Sequence, residues 1–202
     1  MRTLRRTLLI CLLATTAALA QENPPKAAVV PSPDNPLSAW NKKAYGRVKD
    51  ILLRSAEKVP EENYNFKPTD AVRSFGQIVG HVADAQYLFC SIELGENNPA
   101  LKIEQSKTSK ADLIAALKDA FAYCDKAYDG LTDASASDTV KLFKGDMTKR
   151  DALTANTMHG VEHYGNLIVY LRMKNLVPPS SEPGVMPQRK NAPESKTSEP
   201  KK

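Results

Sequence analysis

The 202-residue chain has no apolar run long enough to span a bilayer. Its longest, from Leu8 to Leu13, continues in small residues to Ala20 but is interrupted by Thr15 and Thr16, so a stable membrane span is excluded. No alternating stretch is long enough to argue for a strong strand. A basic stripe is also missing. Between Ser38 and Ser181 there are 19 Lys and Arg against 18 Asp and Glu, so all but one unit of the net charge of +5 resides at the chain ends. That excludes nucleic acid as a partner. Cysteine is scarce, with only Cys11, Cys90 and Cys124, and no serine or cysteine nucleophile constellation is legible. Histidine is equally scarce: His81, His159 and His163 are all there are. The length suits one domain with some surplus.

The surplus lies at the ends. Residues 1–20 have arginines at 2, 5 and 6, an apolar run, and the small-x-small site Ala18-Leu19-Ala20. This is the pattern of a secretory signal peptide cleaved after Ala20, which predicts a periplasmic or secreted protein. Residues 21–37 contain five prolines and read as an extended linker. Residues 180–202 are rich in proline and poor in large apolar side chains, and are expected to be a disordered tail. Export leaves Cys90 and Cys124, which could pair in an oxidising compartment or remain two buried thiols.

Residues 38–179 show helical periodicity in four segments. The first starts near Ser38, read as its N-cap, with Trp40, Ala44, Val48, Ile51, Leu52 and Val59 as its stripe. Pro60 ends it. The second runs from Asp70 or Ser74 to Leu94, with Phe75, Ile78, His81, Val82, Ala85, Phe89 and Ile92 inward and Gly95 as its stop. The third opens at Ser109 with Asp112 three residues on, and closes at Gly130. The fourth runs from Thr148 to about Lys174, with Ala152, Asn156, His159, His163, Leu167 and Leu171 inward. This predicts an all-α four-helix bundle. The connections 95–108 and 131–147 are long, and the second could hold a short extended piece near Val140–Phe143.

All three histidines fall on inward stripes. His159 and His163 are spaced i, i+4 and project from one helix face. Two imidazoles so placed can reach one cation, and His81 on a facing helix would be the third ligand. Three neutral nitrogens suit Zn, Ni, Fe or Co better than Mg or Ca. Manganese is a further candidate. Three protein ligands leave coordination positions open, as in catalytic rather than structural sites. Gly76, Gly80, Gly160 and Gly165 lie in the two histidine-bearing helices. Each costs about 1 kcal/mol relative to alanine, which predicts close helix approach or space for a ligand. His159-Gly-Val-Glu162-His163 also matches H-x-x-E-H of inverted zinc peptidases. That class needs an acidic third ligand in a downstream helix. The only later acids, Glu182, Glu194 and Glu199, lie in the proline-rich tail, so Glu162 is read as a residue at or beyond the edge of the site.

Asn65–Val82, with Phe66-Lys67-Pro68 ahead of the helix that carries His81, resembles the entry to helix two of the DinB-like (YfiT-like) metal-dependent bundle proteins. Met147–Pro179, with His159 and His163 followed by Tyr170-Leu-Arg172 and Val177-Pro-Pro179, resembles their last helix. The resemblance covers about residues 38–179. It implies an up-down-down-up bundle holding a divalent metal, commonly nickel or zinc, on three histidines, and a homodimer. Asn166 departs from it, standing where many members carry glutamine. The chemistry implied is hydrolysis, or transfer or isomerisation that uses a low-molecular-weight thiol, on a small-molecule substrate that the sequence does not name. The alternative is a non-catalytic metal-binding or interaction bundle.

Overall fold

The computed structural model describes residues 34–100 and 102–183. The expected signal peptide, most of the expected linker and the expected tail from residue 184 lie outside the described residues. Four long helices carry the architecture: α1 (Pro36–Lys58), α2 (Phe75–Leu94), α4 (Lys110–Gly130) and α5 (Lys149–Met173). A single-turn helix, α3 (Ile103–Ser106), sits between α2 and α4. An antiparallel hairpin, β1 (Thr139–Leu142) with β2 (Gly145–Thr148), precedes α5.

The hydrogen bonds at the helix ends fix the topology. The Lys110 ammonium at the start of α4 donates to the carbonyls of Glu57 and Val59, at the end of α1. The first amides of α2 donate to Tyr64 and Phe66, just beyond that same end. Asn41 near the start of α1 donates to the carbonyl of Arg150 near the start of α5. Thus α1 and α5 run one way and α2 and α4 the other, which is the up-down-down-up order. Helices α1 and α2 each pack on both α4 and α5. Among the described residues no helix is long and apolar enough to cross a membrane.

Local chemistry explains the helix boundaries. Ser74 caps α2 through a reciprocal pair with Gln77, and Gly95 ends it in the left-handed conformation at φ +69. Ser109 and Thr148 cap α4 and α5 by accepting from the amides of Asp112 and Asp151.

The start of α1 differs from the expectation. Ser38 is not its N-cap: the helix begins at Pro36, with Asn35 before it. The Asp133 carboxylate, from the loop after α4, accepts from the Leu37 and Ser38 amides, so a distant side chain takes over the capping role. These bonds hold the Asp133 carboxyl below its ordinary range. Of the apolar stripe read for α1, Val48, Ile51, Leu52 and Val59 are buried, but Trp40 is misplaced. Trp40 is 68% exposed, whereas Tyr45 is buried and stacks on Tyr128 at 3.8 Å. Tyr45 can be buried because its hydroxyl reaches the carbonyl of Phe121.

The tail also starts later than expected. Ser180 is bonded to the Tyr164 hydroxyl, and Glu182 pairs with Arg54 and Lys58 of α1. These polar contacts seat the first tail residues on the bundle without any large apolar side chain.

Inside the bundle, Cys90 of α2 and Cys124 of α4 are joined as a disulfide, with Cα atoms 5.2 Å apart. Next to it, the amides of Gln86 and Asn156 are bonded in both directions, at 3.0 and 2.9 Å. Asn156 was read as part of an apolar stripe. It is fully buried and satisfied by this pairing, so the layer carries no unpaired amide.

Candidate metal centre

One turn below that amide pair, α2 and α5 bring the three histidines together. The Nε2 atoms of His81 and His159 are 3.3 Å apart, and those of His163 and His159 are 3.1 Å apart. One ring nitrogen from each residue lies within 4.8 Å of the others. Two ligands each 2.0–2.1 Å from one cation are separated by about 2.9–3.4 Å for octahedral to tetrahedral angles. The His81–His159 and His163–His159 spacings fall in that interval and the third pair lies within 4.8 Å, so the three imidazoles could hold a single divalent ion. His163 is buried, and His81 and His159 are half-buried. Burial first, and then the neighbouring histidines, push the His163 imidazole down to about 4. Burial and His81 lower His159 as well. Both rings are therefore held in the neutral form that a metal requires.

The orientation of His81 is set by a residue that the sequence reading missed. Its Nδ1 lies 3.1 Å from Oε2 of Glu104 on α3. An ionised carboxylate only accepts, so this contact keeps the proton on Nδ1 and leaves the Nε2 lone pair facing the other two histidines. The second oxygen of Glu104 accepts from Arg73 Nε at 2.8 Å. Asp84, one turn after His81, does not orient the ring itself. Its carboxylate accepts from the amides of Ile103 and Glu104, at 2.8 and 3.0 Å, and so anchors α3.

Gly80 makes this arrangement sterically feasible. A Cβ there would lie 2.7 Å from Glu104 Cα, so only glycine lets the α3 backbone press against α2 beside His81. Gly160, between the other two histidines, plays a similar part: a Cβ there would meet Val48 at 2.8 Å, where α5 crosses α1. Gly165 meets nothing within 4 Å. The glycines within α2 and α5 thus divide into those at close contacts and one, Gly165, that is not.

The histidines lie between two cavities. One, of about 810 Å³, opens beside His81 and His159. The other, of about 490 Å³, touches His163, Asn166 and Arg73, and Pro68 of the Phe66-Lys67-Pro68 loop forms part of its wall. Phe66 packs edge-on to Tyr170, with ring centres 6.0 Å apart, which fixes that loop on α5. The Asn166 amide faces His163 Nδ1 at 3.5 Å. Glu162 is exposed on the rim of the larger cavity. Glu182 is paired with Arg54 and Lys58 of α1, so among the described residues no downstream acid joins His159 and His163 as a third ligand.

Three imidazoles from two helices of an up-down-down-up bundle, with a carboxylate behind one of them, define a helical bundle able to hold a metal ion. The chain belongs to the DinB superfamily, whose family model matches residues 44–167. It is 26% identical over 130 residues to the uncharacterized protein YjoA of Bacillus subtilis strain 168, covering 61% of this chain and 82% of that protein. The fold is shared with the crystal structure of a DinB-like protein from Bacillus cereus ATCC 10987. That match has a TM-score of 0.62 at 15% identity and covers 69% of this chain and 93% of the other. It is shared also with the crystal structure of YjoA, at a TM-score of 0.57 and 23% identity, covering 68% and 93%.

Proposed function

We propose that the protein is an exported metal-dependent hydrolase whose ion is held by His81, His159 and His163. The observation that carries this reading is the convergence of three imidazoles, with the Nε2 atoms of His81 and His163 at 3.3 and 3.1 Å from that of His159, beside an open cavity. A divalent cation there supplies Lewis acidity, which polarises acyl oxygens and acidifies water. The chain's own residues do the rest. Glu104 and Arg73 hold His81 in one tautomer, burial keeps His159 and His163 neutral, and the cavity admits substrate to one side of the cluster. Zinc or nickel suits three imidazoles best, followed by iron, cobalt and manganese.

Transfer of a low-molecular-weight thiol is the other chemistry that such a centre supports. The buried Cys90–Cys124 bridge favours hydrolysis, because a disulfide of this kind belongs to an oxidising compartment where reduced thiol pools are small. The same bridge supports export, together with the leader-like residues 1–20.

Elemental analysis of the purified full chain, followed by ester and amide hydrolysis assays with and without chelator, tests the reading. The expected outcome is one bound ion per chain and turnover that chelation abolishes. His81→Ala should lose both ion and turnover while keeping its helical circular dichroism. A protein that takes up no ion at micromolar metal, or turnover indifferent to chelation, would reject it.

A further inference from the structure

The cavity beside His81 and His159 has walls unlike its floor. The floor is imidazole. The apolar walls are Ala85, Leu88 and Phe89 from α2, Ala155 and Met158 from α5, and Phe143 from the hairpin, while Asn98 and Gln105 add two neutral polar side chains on the side of α3. Of the charged groups at its edge, Lys102 and Glu162 carry opposite signs, and the Asp84 carboxylate is taken up by the amides of α3. A polyanion would meet a single cation, Lys102, whereas apolar groups would find many partners on the six apolar side chains. The volume of about 810 Å³ suits a small molecule rather than a polymer.

Phe143 is the feature that ordinary fold requirements do not explain. It opens the two-residue turn between β1 and β2, and its φ is +55. Glycine, asparagine or aspartate adopts that conformation readily, while a bulky aromatic does so only under strain. Its side chain is not drawn there by burial, since Phe143 is 76% exposed. What the ring does instead is stand edge-on to Phe89, at 6.1 Å, and Phe89 in turn lies 6.0 Å from the ring of His159. The strained turn therefore holds an exposed aromatic ring over a cavity that leads to the histidines.

We propose that this cavity selects substrates by an apolar body of aryl or branched-acyl type, with Phe143 covering that body and the substrate's donor end lying at the histidines. The proposal rests on the metal-centre reading above and adds the substrate class. Phe89 forms the inner wall, Leu88 and Met158 flank it, and Phe143 is the specificity-determining residue.

The test uses two hydroxamates with the same chelating head on the full chain loaded with Co²⁺. Acetohydroxamate has almost no body; 4-phenylbutanohydroxamate has an aryl one. Binding is followed by the cobalt absorption spectrum. The aryl compound is expected to bind about tenfold tighter or better. Phe143→Gly should bring the two Kd values within about threefold of each other, through lost aryl binding, while Tm holds or rises because glycine relieves the positive φ. Met158→Glu, at an exposed position on the facing wall, should narrow the ratio as well. Equal affinities in the wild-type chain would overturn the proposal and leave the metal centre standing. A ratio unchanged in both variants, or a Phe143→Gly chain that loses Tm but keeps the ratio, would make Phe143 a packing residue and overturn it too. Absence of any cobalt spectrum and of binding by either compound is a different failure, which removes the metal-centre reading and this proposal together.

Discussion

His81 Nδ1 and Glu104 Oε2 meet at 3.1 Å across the contact of α2 with α3, and Arg73 occupies the other oxygen of the same carboxylate. Two residues 23 positions apart in the chain thereby decide which nitrogen of one imidazole carries the proton. Removing such a carboxylate from behind a ligating histidine typically costs 10–100-fold in metal affinity. Glu104→Ala is therefore expected to weaken Zn²⁺ binding by about that factor in a chelator competition, with the fold intact. Glu104→Gln keeps an oxygen that can accept from Nδ1 and should recover part of the loss. Equal affinities in all three proteins would show that the contact has no part in metal binding.

Gly80 gives a second route to the same effect without touching a ligand. Gly80→Ala places a Cβ 2.7 Å from the Glu104 backbone, so α3 must move away from His81. Overpacking of this kind costs about 1–3 kcal/mol. The variant should lose stability in urea denaturation and also lose metal affinity. Gly165→Ala is the internal comparison. It has open space around its Cβ, so it should gain up to about 1 kcal/mol in helix propensity and leave metal binding alone.

These two glycines show where the sequence was legible and where it was not. The helices, the starts at Ser109 and Thr148, Ser74 as one of the two starts read for α2, and the placement of His81, His159 and His163 on inward faces follow from caps and periodicities of three to four residues, which are local signals. Gly80 announces that something approaches α2 closely, but not what. The identity of the approaching residue depends on α3, a single turn inside residues 95–108, held by the Asp84 carboxylate rather than by helix propensity of its own. Glu104 and Arg73 were missed for that reason. Trp40 was misplaced because an aromatic residue at the start of a helix fits two neighbouring registers. Tyr45, not Trp40, found a buried hydrogen-bond partner. Asp133 as the cap of α1 is invisible locally, since it lies 95 residues from Ser38.

The Cys90–Cys124 bridge closes a loop with a sequence separation of 34 between α2 and α4. Loss of loop-closure entropy in the unfolded chain predicts a contribution of about 2–4 kcal/mol. Reduction, or the double change Cys90→Ala with Cys124→Ala, should lower the urea midpoint accordingly. The metal-binding stoichiometry should survive, because none of the three histidines proposed as ligands lies on α4. A reduced chain as stable as the oxidised one would show that the bridge adds nothing to the packing around it.

Glu93, near the end of α2, supplies a pH dependence of identifiable sign. Its side chain is 4% exposed, one carboxyl oxygen has no hydrogen-bond partner, and the Lys149 ammonium is 4.0 Å away. Burial pushes the carboxyl up to about 7, against the opposing pull of Lys149 and with a smaller push from Asp138. Because the folded chain holds this proton more tightly than the unfolded one, the group stabilises fully below the unfolded carboxylate range near 4.5. That contribution is lost as pH rises through about 7. Its effect on stability therefore falls between those limits. The buried histidines, whose pKa values are lowered, act in the opposite sense as pH falls, so the informative quantity is wild type minus variant. Glu93→Gln removes the ionisation while keeping size and polarity. It should match the wild type near pH 4.5 and exceed it at pH 8 by on the order of 2 kcal/mol, read from urea midpoints at the two values. A difference that stays constant with pH would mean that Glu93 ionises in the folded protein as it does in the unfolded chain, and that the Lys149 contact compensates its burial fully.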